Sequence, residues 1–72
     1  MNYINDDVKI DFPVDTALAN MIQVCEQDDR DGNYGKYVND IEYLIDTLAK
    51  AEYVDGAITK SQWEIIERRY QY

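Results

Sequence analysis

Tyr37-Val38-Asn39-Asp40-Ile41-Glu42-Tyr43-Leu44-Ile45-Asp46-Thr47-Leu48-Ala49-Lys50-Ala51 decides the fold. Tyr37, Val38, Ile41, Leu44, Ile45, Leu48 and Ala51 recur at steps of one, three and four residues. Asn39, Asp40, Glu42, Asp46 and Lys50 fall mostly on the other side. Apolar residues spaced this way form one stripe of a helix and call for a partner surface. The pattern predicts a helix over 34–52, with Asp31 or Asn33 as its N-cap. Asp55-Gly56 is expected to end it, because glycine readily takes the left-handed conformation that closes a helix.

The same periodicity lies on both sides of this segment. Val14, Ala17, Leu18, Met21, Ile22 and Cys25 form a stripe that predicts a first helix over 13–29. Pro13 suits its first turn, and Asp15 is expected within that turn, near the positive end of the helix dipole. The polar run Asp28-Asp29-Arg30-Asp31-Gly32-Asn33 reads as the interhelical turn. A third helix is predicted over 59–70. Thr59-x-x-Gln62 and Ser61-x-x-Glu64 each fit a capping box, Ile58 can staple onto Trp63, and Trp63, Ile66 and Tyr70 share a face. Residues 3–12 alternate instead: Val8, Ile10 and Phe12 point one way, Lys9 and Asp11 the other. No second segment reads as a strand, so this one is expected to lie as an arm over the helices or to pair with another molecule.

The sequence therefore predicts an all-α fold: a three-helix domain over 13–72 with a short extended arm over 1–12. Each stripe is too narrow to be stable alone, so the helices must bury one another. The expected core is Leu18, Met21, Ile22, Val38, Ile41, Leu44, Ile45, Leu48, Ile58, Trp63 and Ile66.

Composition narrows the function. A chain of 72 residues buries only about 60% of its unfolded surface, which leaves little room for a deep catalytic cleft. One cysteine and no histidine exclude the usual zinc ligand sets and any Ser-His or Cys-His pair. Glycine-rich phosphate loops are missing too, so no enzymatic activity and no cofactor are expected. Apolar runs fall short of the ~18 residues that span a membrane, and residues 1–7 do not resemble a secretory signal. A lone Cys25 on an apolar stripe suits a reducing compartment and a cytoplasmic location.

Fifteen acids against seven bases give a net charge of −8. That charge argues against direct binding to nucleic acid or to anionic membranes, and for partners with a basic surface. It is uneven: residues 1–58 carry a net −9 and residues 59–72 a net +1. The acidic loop 28–33 invites a calcium reading. With Gly32 at the sixth position of an EF-hand loop, however, Gln27 and Val38 occupy the first and twelfth, where oxygen ligands are needed. A solvated turn accounts for it better.

Seven tyrosines, at 3, 34, 37, 43, 53, 70 and 72, are the compositional oddity. Tyr37 and Tyr70 fall on apolar faces and belong in or beside the core. The others either rim a small core with their hydroxyls in water or form a contact surface, for which tyrosine suits because it offers area at low entropy cost. The acids have two readings as well. They solvate one face, or their carboxylates stand where phosphates would on an inhibitor of a basic nucleic-acid-binding cleft. The candidate partner-binding residues are Tyr34, Asp40, Glu42, Tyr43, Asp46 and Tyr53.

The stretch Lys50 to Tyr70, with Gly56-Ala57-Ile58-Thr59 leading into Gln62-Trp63, resembles the Gly-x-Ile-Thr helical motif of SHOCT-type modules. It is similar also to small proteins of phages and conjugative elements. The resemblance implies a helical fold, protein contacts or oligomerisation, and no catalytic residues. The expected function is a small acidic protein–protein interaction module of a phage or other mobile element, acting on a basic protein partner or on itself as a homodimer. The alternative is an acidic, anti-CRISPR-like inhibitor that blocks a basic cleft.

Overall fold

The computed structural model describes residues 3–72, so Met1 and Asn2 of the expected arm lie outside the described residues. Three helices pack around one core, and the described residues contain no strand. Helix α1 spans Thr16–Asp31. Helix α2 starts as Tyr34–Glu42, widens into a π-helical stretch over Tyr43–Ala49 and finishes with Lys50–Val54. Helix α3 spans Lys60–Arg69.

Helix α1 begins later than the apolar stripe predicts. Pro13 and Val14 precede it, and Asp15 is the N-cap rather than a first-turn residue; its carboxylate accepts from the Leu18 N–H at 2.8 Å. An N-cap acid satisfies an otherwise unpaired N–H, which outweighs the fit of Pro13 to a first turn. The other end runs on to Asp31, where Gly32 takes a left-handed φ of 69° and its N–H closes on Asp28 and Asp29. Asn33, not Asp31, caps α2 by accepting from Lys36 N–H. At α3 the choice between two capping boxes falls to Thr59, with both reciprocal bonds to Gln62 present.

The π-helical stretch has a cause in the burial pattern. Tyr37, Ile41, Ile45 and Ala49 are all at most 5% exposed and follow one another at steps of four. At 100° per residue such a series drifts by about 40° per step around an α-helix. A wider turn takes up that drift and holds Ile45 and Ala49 over the core. Leu18, Cys25, Leu44, Ile45 and Ile66 are fully buried. Each buried leucine or isoleucine contributes roughly 1.5–3 kcal/mol.

Three expectations about the core are corrected. Val38 is 36% exposed, because Tyr37 and Ile41 take the inward-facing positions in this part of α2. Met21, Ile22, Leu48 and Trp63 pack on the core but are only partly buried. Ile4 and Ala49 are buried although the expected core omits them, while Tyr37 and Tyr70 are buried as their apolar faces imply. The arm forms no ladder. It lies across the helices, with Ile10 and Phe12 packed on the core and Lys9 and Asp11 exposed, so the alternation gave its facing correctly.

The C-terminal end of α3 ties the elements together. Arg69 donates to both carboxylate oxygens of Glu26 at 3.2 Å and to the Val8 carbonyl at 2.7 Å. The Tyr70 hydroxyl donates to Glu26 at 2.8 Å, and the Tyr37 hydroxyl donates to the Tyr70 carbonyl at 2.9 Å. The Asn5 N–H reaches the Arg69 carbonyl at 2.7 Å.

Candidate functional site

Helix α2 carries all six candidate residues, but it does not gather them. Tyr34 and Tyr53 stand at opposite ends, roughly 28 Å apart at 1.5 Å per residue. Tyr53 stacks on Trp63, with ring centroids 5.3 Å apart and planes within 12°, and so serves the α2–α3 contact. Tyr43 is half exposed. Nine residues after Tyr34, it projects from roughly the opposite side of the helix. Asp40 turns toward α1. Glu42 and Asp46 remain exposed one turn apart, and Asp46 accepts a hydrogen bond from the Tyr72 hydroxyl.

A groove of about 300 Å³ opens between the N-terminal half of α2, the start of the arm and the C-terminal tail. Tyr3, Tyr34, Tyr37, Val38, Ile41, Tyr70 and Gln71 line it, without a charged group among them. The rings of Tyr3 and Tyr34 meet edge to face at 5.0 Å, and Tyr3 lies 5.1 Å from Tyr37. Tyr3 is pinned at both ends: its N–H donates to Asp29, and its hydroxyl donates to the Gly32 carbonyl at 3.0 Å. Gln71 donates to the Tyr3 carbonyl at 2.9 Å and closes the tail over the arm. On the far side of Gln71, a second, open hollow is lined by Ser61, Glu64, Ile65, Glu67, Arg68 and Tyr72. Tyr72 lines this second hollow and not the tyrosine groove. Its hydroxyl is pushed up to about 12, first by the hydrogen bond to Asp46 and then by desolvation and the nearby charges of Asp46, Glu42 and Glu67.

Tyr3, Tyr37, Val38, Ile41, Tyr70 and Gln71 are the groove residues that sequence reasoning left out of the candidate site. Two of them, Tyr3 and Tyr70, are tyrosines near a chain terminus, and the tyrosine count was the one signal available. Tyr34 alone among the candidates lines the groove; Glu42 follows Val38 of its lining by one helical turn.

Asp40 belongs to a different cluster, at the α1–α2 contact. Lys36 Nζ lies 3.1 Å from Asp28 Oδ1 and 2.9 Å from Asp40 Oδ2. Asp28 is 3% exposed and its Oδ2 has no hydrogen-bond donor. The Asp40 carboxyl lies alongside, within hydrogen-bonding reach when one of the two carries a proton. Burial, reinforced by Asp40, raises the Asp28 pKa, while Asp40 is lowered by its bonds to Asp28 and Lys36. Cys25, buried beneath this pair, is pushed up to about 12, mainly by burial and then by the carboxylates. A thiol held protonated in this way is a poor nucleophile.

An acid whose folded pKa lies above its unfolded one holds its proton more tightly in the folded state. Its contribution to stability is therefore present at low pH and is lost as pH rises through the folded value. Asp28→Asn reproduces the protonated form, since its amide can donate to Asp40 while its carbonyl accepts from Lys36. The substitution is expected to raise stability by about 1 kcal/mol at pH 8, with the gain shrinking as pH falls into the carboxylate range. Thermal melts of both proteins from pH 4 to 8 check this. Parallel curves, or a loss at pH 8, would refute it.

Among the described residues, no group of three or more His, Cys, Asp or Glu side chains is placed to hold a metal ion. None of the described helices is long and apolar enough to cross a membrane. Comparison with protein-family models, with curated proteins and with solved structures finds no match to this chain.

Proposed function

We propose that this chain is a small, non-enzymatic protein–protein interaction module, and that it binds through the α2 face that carries the tyrosine groove. The observation that carries this reading is the exposure of apolar and aromatic side chains on that face beside exposed carboxylates. Tyr34 is 59% exposed, Val38 36% and Tyr72 49%, with Glu42 and Asp46 next to them. Aromatic residues are enriched at protein interfaces, and a net charge of −8 favours a basic partner. The resemblance of residues 50–70 to SHOCT-type modules points the same way. The inhibitor reading finds less support, because it needs several carboxylates displayed together, and Asp40 is turned to α1 and shares Lys36 with Asp28.

Self-association and binding to another protein are two forms of the same proposal. The arm already lies on the bundle, so pairing through residues 8–12 across a dimer requires it to detach. Sedimentation velocity at low and high salt separates the forms. Apolar self-association persists or strengthens in salt, whereas docking by charge weakens. A concentration-independent monomer in both conditions rules out the homodimer. For a different partner, a photo-crosslinking residue at position 34 is expected to give one discrete adduct in cells, while the same residue at 43 gives none. Equal or absent crosslinking from both positions would sink the proposal.

A further inference from the structure

Resting on the reading of the tyrosine face of α2 as a binding surface, we propose that Asp28 is a proton-operated latch on the α1–α2 turn. With a proton on Asp28 the turn holds Tyr3 in the groove against Tyr34; when that proton passes to solvent, the turn loosens and the Tyr3 ring leaves. Asp28 stands where three elements join. Its carbonyl accepts the N–H groups of Gly32 and Asn33, which end α1 and begin α2. Its side chain reaches across the same turn. Lys36, in the first turn of α2, lies 3.1 Å from Asp28 Oδ1 and 2.9 Å from Asp40 Oδ2, so the two carboxyl groups share one ammonium. The next residue, Asp29, accepts from the Tyr3 N–H, and the Gly32 carbonyl accepts from the Tyr3 hydroxyl at 3.0 Å. Both bonds that Tyr3 donates therefore end on this turn, and they set its ring against Tyr34 and Tyr37.

The site is ill-suited to a full negative charge on Asp28. The residue is buried, and no donor among the described residues reaches its Oδ2. A buried carboxylate with an unpaired oxygen is costly, whereas a carboxylic acid donates from that oxygen to a neighbouring acceptor. The groups facing Asp28 are Lys36 and Asp40 from α2 and the Cys25 thiol one turn earlier on α1; from the arm, Tyr3 meets the adjoining Asp29. Burial and Asp40 oppose the charge and outweigh Lys36, so the Asp28 pKa is raised. The closed turn thus binds the proton more tightly than a loosened, hydrated one. Its hold is full below the ordinary carboxylate value and is lost as pH rises through the raised one. Across that interval the ratio of open to closed turn grows about tenfold per pH unit. The movement stays local. Arg69 separately holds Asn5 and Val8 of the arm, and Gln71 holds only the Tyr3 carbonyl, which lets the ring swing.

The test is an NMR titration of the isotope-labelled protein from pH 4 to 8. It follows the side-chain carboxyl carbon of Asp28, the amides of Tyr3, Gly32 and Asn33, and the NOE between the Tyr3 and Tyr34 rings. All are expected to change with one midpoint above the ordinary Asp value of about 3.9, the NOE weakening on the alkaline side. The amides of Val8 and Arg69 should stay in place. Asp28→Asn is expected to abolish the step and to keep the NOE at every pH. Lys36→Met removes the cation and is expected to move the midpoint up. Asp40→Asn removes the competing carboxylate and is expected to move it down. A merely structural contact would not separate these two variants in opposite directions.

Three results would overturn the proposal. The Asp28 carboxyl could titrate in the ordinary range. The Tyr3 amide and the ring NOE could stay unchanged while Asp28 titrates. The step could survive in Asp28→Asn, which would assign it to Asp29. A discrete crosslink from position 34 beside any of these leaves the interaction module standing and removes only the latch. The opposite pair, a common step without a crosslink, supports the latch and removes the reading of this face as a binding surface.

Discussion

Tyr70→Ala is expected to unfold the protein. The ring is fully buried where α1, α2 and the arm meet, and Arg69 lies over it at 5.8 Å. Truncating a buried aromatic to alanine costs about 3–5 kcal/mol, through lost burial and an unfilled cavity. Here the loss has a second part. The Tyr70 hydroxyl is one of three donors on the Glu26 carboxylate, and the ring helps hold that ion pair out of water. A domain of this size is marginally stable, so such a loss leaves little of the folded state. Tyr70→Phe separates the two parts. It keeps the packing and removes one hydrogen bond, and is expected to cost about 1 kcal/mol. Circular dichroism melts of the two variants check the pair. A cooperative melt of Tyr70→Ala within a few degrees of wild type would place the ring outside the core.

That residue shows where the sequence was legible. The three helices follow from stripes at the helical period, and the turns from Gly32, Gly56 and the capping residues, because these signals are local. The interlocking at the end of α3 is not local. Nothing in Glu-Arg spacing or periodicity announces that Arg69 would meet Glu26, 43 residues away in sequence, or that Ile4 would enter the core. The start of α1 was misplaced for a different reason: Pro13 and Asp15 both suit a helix N-terminus, and only the bond from Leu18 N–H decides between them.

The candidate site was legible only in part, and the limit is again geometric. Tyrosines and acids on α2 were found by residue type, but type does not give the side of the helix. Tyr43 leaves from the other side, Asp40 turns to α1, and Tyr53 is spent on Trp63. The groove's remaining walls come from the arm and the tail. Tyr3 of the arm carries no periodic signal, so its meeting with Tyr34 and Tyr37 could be seen only once the chain was folded.

Trp63→Ala is expected to give the second large loss, though less than full burial would imply. Trp63 is only partly buried, and what it holds is the lower end of α2. Its ring stacks on Tyr53, and its indole N–H donates to the Ile45 carbonyl at 3.1 Å, within the π-helical stretch. That carbonyl also accepts from the Lys50 N–H, so removing the indole does not orphan it. The loss should come mainly from the stacked area, about 2–3 kcal/mol, against 3–5 kcal/mol for a fully buried aromatic. At roughly 4–8 °C per kcal/mol in a domain of this length, Tm should fall by about 10–20 °C. Trp63→Phe retains a ring against Tyr53 and gives up the indole hydrogen bond, so it should lose only about 1 kcal/mol. Hydrogen exchange adds a readout that stability alone does not supply. If Trp63 anchors the wide turn, the amides of residues 45–50 should lose protection in Trp63→Phe beyond the change in global stability, while those of α1 should follow it. Uniform loss across both helices would mean that the π-helical stretch is held by its own apolar residues, Ile45 and Ala49, and owes nothing to the indole.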